Sequence, residues 1–296
     1  MLLVTGITGH SGGYFLKRLI ENDYQSPIRC LIRENSDTAS LDACNLSVEK
    51  IVCDLESQDG LDALMANVDE VLHITSIFYS QKILTAAIRR NVRRVVCVHT
   101  TGIYSKHRKA SRLYKNIEDD MRRLIIENKP SLQLIILRPT MIFGSIDDGN
   151  MAVFIKIVDR LRVVPLFGNG RNLLQPVNGE DLGDAYYKLI MRKDISHGDY
   201  ILSGESPISM REIMGSISRL LGKKTYFLSV PIFFGVFIAR LIRLMTFERL
   251  DFVEEVKRMG ENRSFPHAHA RHDFGYEPMP FLDGLKREVD AYLKRK

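Results

Sequence analysis

Apolar residues come in short runs through the first half of the chain, each separated from the next by a stretch with helical spacing. Runs rich in Leu, Val and Ile predict strands at Leu2–Val4, Arg29–Ile32, Lys50–Val52, Glu70–Ile74, Val95–His99 and Leu134–Leu137. Between and after them, apolar positions three and four apart predict helices at Gly12–Asn22, Gln58–Met65, Gln81–Asn91, Ser111–Asn128 and Met151–Leu161. The strands show little alternation, as strands buried on both faces do. Strand and helix in turn predict an α/β fold with a doubly wound parallel sheet.

Beyond Pro139 the rhythm changes. Gly168-Asn169-Gly170 marks a turn. Ser209-Met210-Arg211-Glu212 reads as a capping box that starts a helix through Leu221, with Gly222 as its stop. A last helix is expected over Leu282–Lys294. The expected division is a sheet domain over residues 1–160 and a smaller lobe mainly over 161–296, with the segment from about 175 to 202 returning to the sheet. The cleft between them should face the carboxyl ends of the strands. The longest apolar stretch, Phe227 to Ala239, is too short to span a bilayer. A helix starting at Pro231 would bury Phe234, Phe237, Ile238 and Leu241 on one side, as a core or interface helix. Contact with a membrane surface, suggested by the following Arg240 and Arg243, is the lesser alternative.

Composition changes this picture little. The 296 residues are 45% hydrophobic and 26% charged, as in a soluble globular protein. Cys30, Cys44, Cys53 and Cys97 show no C-x-x-C pairing, so they read as reduced thiols of a cytoplasmic protein. With the first strand expected to start at Met1, no signal peptide is expected. The net charge is +6, with basic clusters at Arg89-Arg90, Arg93-Arg94, Lys106 to Arg112 and Lys294-Arg295-Lys296. No nucleic-acid motif accompanies them, which points to a solvated face with attraction for phosphorylated small molecules rather than nucleic acid. His267-Ala268-His269-Ala270-Arg271-His272 holds three of the eight histidines, yet His267 and His269 would share a face only on a strand. No further ligand spacing supports a metal, and none is expected.

The chemistry starts at Thr5-Gly6-Ile7-Thr8-Gly9-His10-Ser11-Gly12-Gly13, between the first strand and the first helix. Such a turn brings backbone N–H groups and a helix N-terminus up to a pyrophosphate, which predicts dinucleotide binding. Gly6 would allow the tight turn, Gly9 the approach of backbone to phosphate and Gly12 the packing of helix on strand, while Thr8, His10 and Ser11 offer polar groups. The second strand ends at Arg33, which can pair with a 2′-phosphate, so NADP is favoured over NAD. Glu34 next door would favour NAD if the strand ended one residue later, and Arg29 reads as structural. Ser36 can add a hydroxyl. Asp54 after the third strand is either an adenine contact or a turn or capping aspartate.

Several elements in order resemble the extended and atypical branches of the short-chain dehydrogenase/reductase superfamily, the nucleoside-diphosphate-sugar epimerase/dehydratase-like proteins. Besides the glycine turn these are Val52 to Leu55, Leu137-Arg138-Pro139-Thr140-Met141-Ile142-Phe143-Gly144, Gly168-Asn169-Gly170 through Asp181-Leu182, and Asp273-Phe274-Gly275-Tyr276-Glu277-Pro278. The resemblance covers nearly the whole chain. It implies a Rossmann-type fold with a C-terminal substrate lobe, adds Leu55, Thr75, Pro139, Thr140 and Ile142 to the cofactor contacts, and implies oxidoreductase or epimerase/dehydratase chemistry on a carbonyl, alcohol or nucleotide sugar. It also suggests Arg263 and Arg271 for a substrate pyrophosphate, with plain surface arginines as the equal alternative; a homodimer is a further expected partner arrangement.

The family's chemistry rests on a Tyr-x-x-x-Lys pair on one helix, aided by a Ser or Thr at the preceding strand end. Here Thr100 or Thr101 can fill the hydroxyl role. The pair itself is missing. Anchoring the helix on Lys115 puts Ser111 at the tyrosine position; anchoring on Glu118 puts Tyr114 at the lysine and Ala110 at the tyrosine. Tyr104 is followed four residues later by Arg108, in an expected loop. The remaining expectations are that Tyr114 or Tyr104 serves as acid/base near Lys115, or that the protein binds NADP without catalysis, as a sensor or assembly partner. Tyr114 and Lys115 are adjacent and point about 100° apart on a helix.

Overall fold

The computed structural model describes residues 1–107, 109–246 and 253–296, with the backbone alone at 58–59 and 109–110. Its centre is a seven-stranded, all-parallel sheet. The first six strands in chain order are β1 (Leu2–Thr5), β2 (Ile28–Ile32), β3 (Val48–Val52), β4 (Glu70–His73), β5 (Arg94–Val98) and β6 (Gln133–Pro139). They lie in the order β3-β2-β1-β4-β5-β6, and strand Gly198–Leu202 completes the edge beside β6. The order reverses between β1 and β4, which opens a crevice at their carboxyl ends.

Successive side chains explain why the strands read as continuous apolar runs. Leu2 and Val4 enter the core on one face, and Leu3 enters the core on the other. The first core holds Phe15 and Leu19 of helix His10–Glu21 with Tyr186 and Leu189 of helix Gly179–Met191. These two helices touch closely at Gly183, where a Cβ would fall 2.5 Å from that of Tyr14. The second core holds Leu84 and Ala87 of helix Ser80–Arg89 with Ile117 and Met121 of helix Lys109–Asn128. Arg29 is structural, as expected: it is buried and donates to Glu49 Oε2 at 2.8 Å and to the carbonyls of Leu64 and Ala66.

A third core lies in the C-terminal part, where Met151, Ile155 and Val158 of helix Met151–Arg160 meet Ile213 and Ile217 of helix Met210–Leu220 and Leu285 of helix Phe281–Arg295. Helix Met210–Leu220 begins with the expected capping box, Ser209 and Glu212 bonding each other's backbone N–H. After Gln175 the chain forms helix Gly179–Met191 and strand Gly198–Leu202, the latter pairing with β6.

One expectation fails here. Helix Ile232–Met245 forms, but Phe234, Phe237, Ile238 and Leu241 are all exposed, and its buried residues are Gly235 and Ala239. The reason is contact distance: the helix sits against Phe167 and Val256 through its smallest residues, which turns the bulky side chains outward. No helix among the described residues is long and apolar enough to cross a membrane.

Candidate active site

The glycine turn has the geometry its sequence requires. Gly6 takes φ +80°, a left-handed conformation that costs glycine little. At Gly12 a Cβ would fall 2.1 Å from the Gly6 carbonyl oxygen, so only glycine lets the helix close onto the turn. Gly9 is the N-cap of helix His10–Glu21, and no side chain caps it. The first N–H groups of that helix are thereby left for an anion.

This turn forms one wall of a cavity of about 600 Å³. Gly6, Thr8, Gly9, His10, Ser11, Arg33, Asp54, Leu55, Thr75 and Ile142 all line it, so ten of the thirteen expected cofactor residues come together. Gly12 lies behind the turn, and Pro139 and Thr140 line a neighbouring cavity instead. β2 ends at Ile32, which puts Arg33 directly after the strand, and its N–H donates to Ser36 Oγ at 2.9 Å. Ser36 also lines the cavity, whereas Glu34 is exposed and is not on its wall. Asp54 lines the cavity, and its Oδ1 accepts from the N–H of Glu56 at 2.9 Å in a turn. Ser57, not Asp54, caps the following helix. His10 is more committed than expected, since its Nε2 lies 3.1 Å from the Phe143 carbonyl and ties the turn to the Ile142–Phe143 strand. Below the turn His73 is fully buried, with Nδ1 2.8 Å from Thr5 Oγ1 and 3.2 Å from Thr75 Oγ1. Burial holds its pKa down at about 4, so the ring is neutral.

The second cavity, of about 750 Å³, meets the first at Ile142. Thr100, Thr101, Tyr104, Pro139 and Thr140 line its sheet side, and Arg258, Glu261 and Arg263 its lobe side. Thr100 Oγ1 accepts from the Gly102 N–H at 3.0 Å, and Thr101 Oγ1 donates to the Pro139 carbonyl at 3.2 Å. Tyr104 is half-exposed, with its ring 5.4 Å from that of Phe265 and the Arg138 guanidinium 5.9 Å from its centroid. Arg271 and His267 line a third, more open hollow that shares Gln175 and Phe265 with this cavity. His267 and His269 do not share a face, because Ala268–Phe274 is helical; His267 Nδ1 instead lies 2.9 Å from Ser203 Oγ.

Tyr114 and Lys115 are not brought to either cavity. Tyr114 is 6% exposed, in the second core against Phe78, and Lys115 is exposed on the outside of the same helix. Adjacent residues on a helix diverge in this way, and the pair does not provide a phenol beside an ammonium. Arg108 lies outside the described residues.

Sequence reasoning missed a buried network under the second cavity. Glu118 accepts from Arg138 and from His99 Nδ1 at 2.9 Å, while His99 Nε2 lies 3.0 Å from Ser80 Oγ. Burial pushes the Glu118 carboxyl up, but the bonds from His99 and Arg138 outweigh it and hold the pKa at about 2. Ser80, His99 and Glu118 have the spacing of a nucleophile relay, yet Ser80 is fully buried and no substrate atom can reach it. The network braces the end of β5, from which Thr100 and Thr101 follow. Removing one partner of such a buried pair typically costs about 3–5 kcal/mol. A histidine ending a central strand was the one signal for it, and it carries little information without the third dimension.

Residues 6–151 match the family described as NAD(P)H-binding. UDP-glucose 4-epimerase of Vibrio cholerae is 22% identical over 178 residues, 60% of this chain, and the match spans 52% of that protein, about half its length. Among solved structures, UDP-glucuronic acid 4-epimerase from Bacillus cereus, in complex with UDP-glucuronic acid and NAD, superposes with a TM-score of 0.75 at 17% identity, covering 100% of this chain and 99% of that one. dTDP-glucose 4,6-dehydratase from Streptomyces venezuelae, with NAD bound, gives 0.74 at 19% identity, covering 99% and 97%.

Proposed function

We propose that this protein is an NADP(H)-dependent oxidoreductase or epimerase/dehydratase of the short-chain dehydrogenase/reductase superfamily, a reading supported by the match of residues 6–151 to the NAD(P)H-binding family and by a fold shared with nucleotide-sugar epimerases and dehydratases. Its substrate is a carbonyl or alcohol carried on a nucleotide sugar or a similar phosphorylated compound. The observation that carries this reading is the meeting of two cavities at Ile142, one walled by the glycine turn and one by hydroxyls and arginines. The bound nicotinamide would supply hydride transfer. The residues of the chain would do the rest: the N-terminus of helix His10–Glu21 faces the pyrophosphate, and Arg33 with Ser36 takes the 2′-phosphate. Thr100 and Thr101 orient the reacting oxygen, and Tyr104, the phenol on the second cavity's wall, exchanges its proton. Arg258 and Arg263 suit a substrate phosphate. The test is absorbance at the nicotinamide band across a panel of nucleotide sugars and carbonyl compounds, for the wild type and Tyr104→Phe. The expected result is turnover with at least one substrate, reduced about 100-fold or more in Tyr104→Phe.

A second reading, NADP binding without catalysis, is favoured by Tyr114 sitting in the core and Lys115 on the surface. Tight NADPH binding with no hydride transfer to any member of the panel would select it.

A further inference from the structure

Helix Ile232–Met245 touches the rest of the lobe along a narrow strip. A Cβ at Gly235 would fall 2.5 Å from Phe167 and 2.8 Å from Val256, so the contact is as close as backbone permits. At 100° per residue, Phe233, Phe234, Phe237, Ile238, Leu241 and Leu244 fall within one arc of about 140° on the opposite side. All six are exposed, from 47% at Leu241 to 74% at Leu244. The strand leading into the helix continues the pattern. In the parallel ribbon of Val163–Phe167 with Tyr226–Val230, Val164 and Leu166 point inward while Val163, Tyr226 and Leu228 are exposed. Large apolar side chains gathered in this way mark an interaction surface rather than ordinary scatter.

Charge decides between occupants. The helix carries no acidic residue, and exposed Arg240 follows one edge of the arc, about 20° beyond it. Exposed Lys224 stands just before the leading strand, whereas its neighbour Lys223 is paired with Asp159. A second copy docked about a two-fold axis would bring this basic edge against itself, with no acid on the helix to answer it. An apolar arc with a basic edge, on a helix too short to span a bilayer, fits an anionic membrane surface.

We propose that helix Ile232–Met245, with the outer face of its leading strand, docks the protein on an anionic lipid bilayer. The helix lies in the plane of the interface with its arc at the boundary of headgroups and acyl chains. Ile232 also packs against Gly260, on the wall of the second cavity, so the docked helix adjoins the substrate side of the protein.

The test is flotation of the full chain with vesicles of phosphatidylglycerol and phosphatidylcholine, compared with phosphatidylcholine alone, with NADPH affinity as the check that each variant is folded. The wild type should float with the anionic vesicles, and salt should weaken binding. Phe237→Glu should lower vesicle affinity about ten-fold or more, and Arg240→Gln about five-fold, with NADPH affinity unchanged. Failure of the folded wild type to float, or flotation of Phe237→Glu equal to wild type, overturns the proposal. A dimer in sedimentation that Phe237→Glu dissociates, without flotation, overturns it in favour of a second copy.

Discussion

Arg33 shows how much one side chain decides. It follows the last residue of β2, lines the cavity beside Ser36, and is half of the argument for NADP, the other half being Glu34 off the wall. A guanidinium that pairs with a 2′-phosphate makes a charge-assisted bond that NAD cannot offer. Arg33→Ala should therefore weaken NADPH binding about 10- to 100-fold and leave NADH nearly unchanged, as read by fluorescence titration of both. Equal losses for both cofactors would count against the 2′-phosphate role. The placement of such residues was legible because a turn forced it: Gly6 and Gly12 are dictated by backbone geometry, and the position of Arg33 by the end of β2. His99 and Glu118 were not, because nineteen residues separate them and only the packing of helix Lys109–Asn128 on β5 makes them partners.

At the level of elements, local chemistry was the best guide. The capping box at Ser209 needs no tertiary context, since Ser209 and Glu212 satisfy each other's N–H groups across one turn. Ser209→Ala should cost about 1 kcal/mol and lower Tm by about 2–4 °C, measured by thermal unfolding, with NADPH affinity unaffected. The β-strands were legible for a different reason, their burial on both faces. Strand Gly198–Leu202 was harder to read: of its residues Tyr200 and Leu202 are buried, and Asp199 faces Arg122 and Arg138 in ion pairs. Helix Ile232–Met245 marks the limit of pattern reading. Its apolar spacing predicted an amphipathic helix correctly and its orientation wrongly, because Gly235 and Ala239 permit a closer approach than the bulky side can.

For the whole molecule, two buried carboxyls are among the groups that tie the last segments of the chain to the sheet side. Glu288, on the last helix, accepts from the N–H of Gly144 at 2.8 Å, two residues after the Ile142 junction of the two cavities. Burial and then the neighbouring Asp148 push its pKa up to about 8. Asp181 accepts from the N–H of Met279 at 3.1 Å, and burial raises it to about 7. Both groups hold a proton in the folded protein that the unfolded chain releases near the ordinary carboxylate range. Between that range and pH about 8 the folded state binds more protons, so this contribution to stability is full at the acid end and declines as pH rises. Glu288→Gln keeps an acceptor for Gly144 and carries no charge to repel Asp148. Its Tm should match the wild type near pH 5 and exceed it by a few degrees near pH 8.5, where the wild-type carboxyl has ionised. Parallel Tm profiles for the two proteins across that interval would show that Glu288 does not titrate there. A wider gap with bound NADPH would show that the Gly144 turn, and with it the junction of the two cavities, is what the proton holds in place.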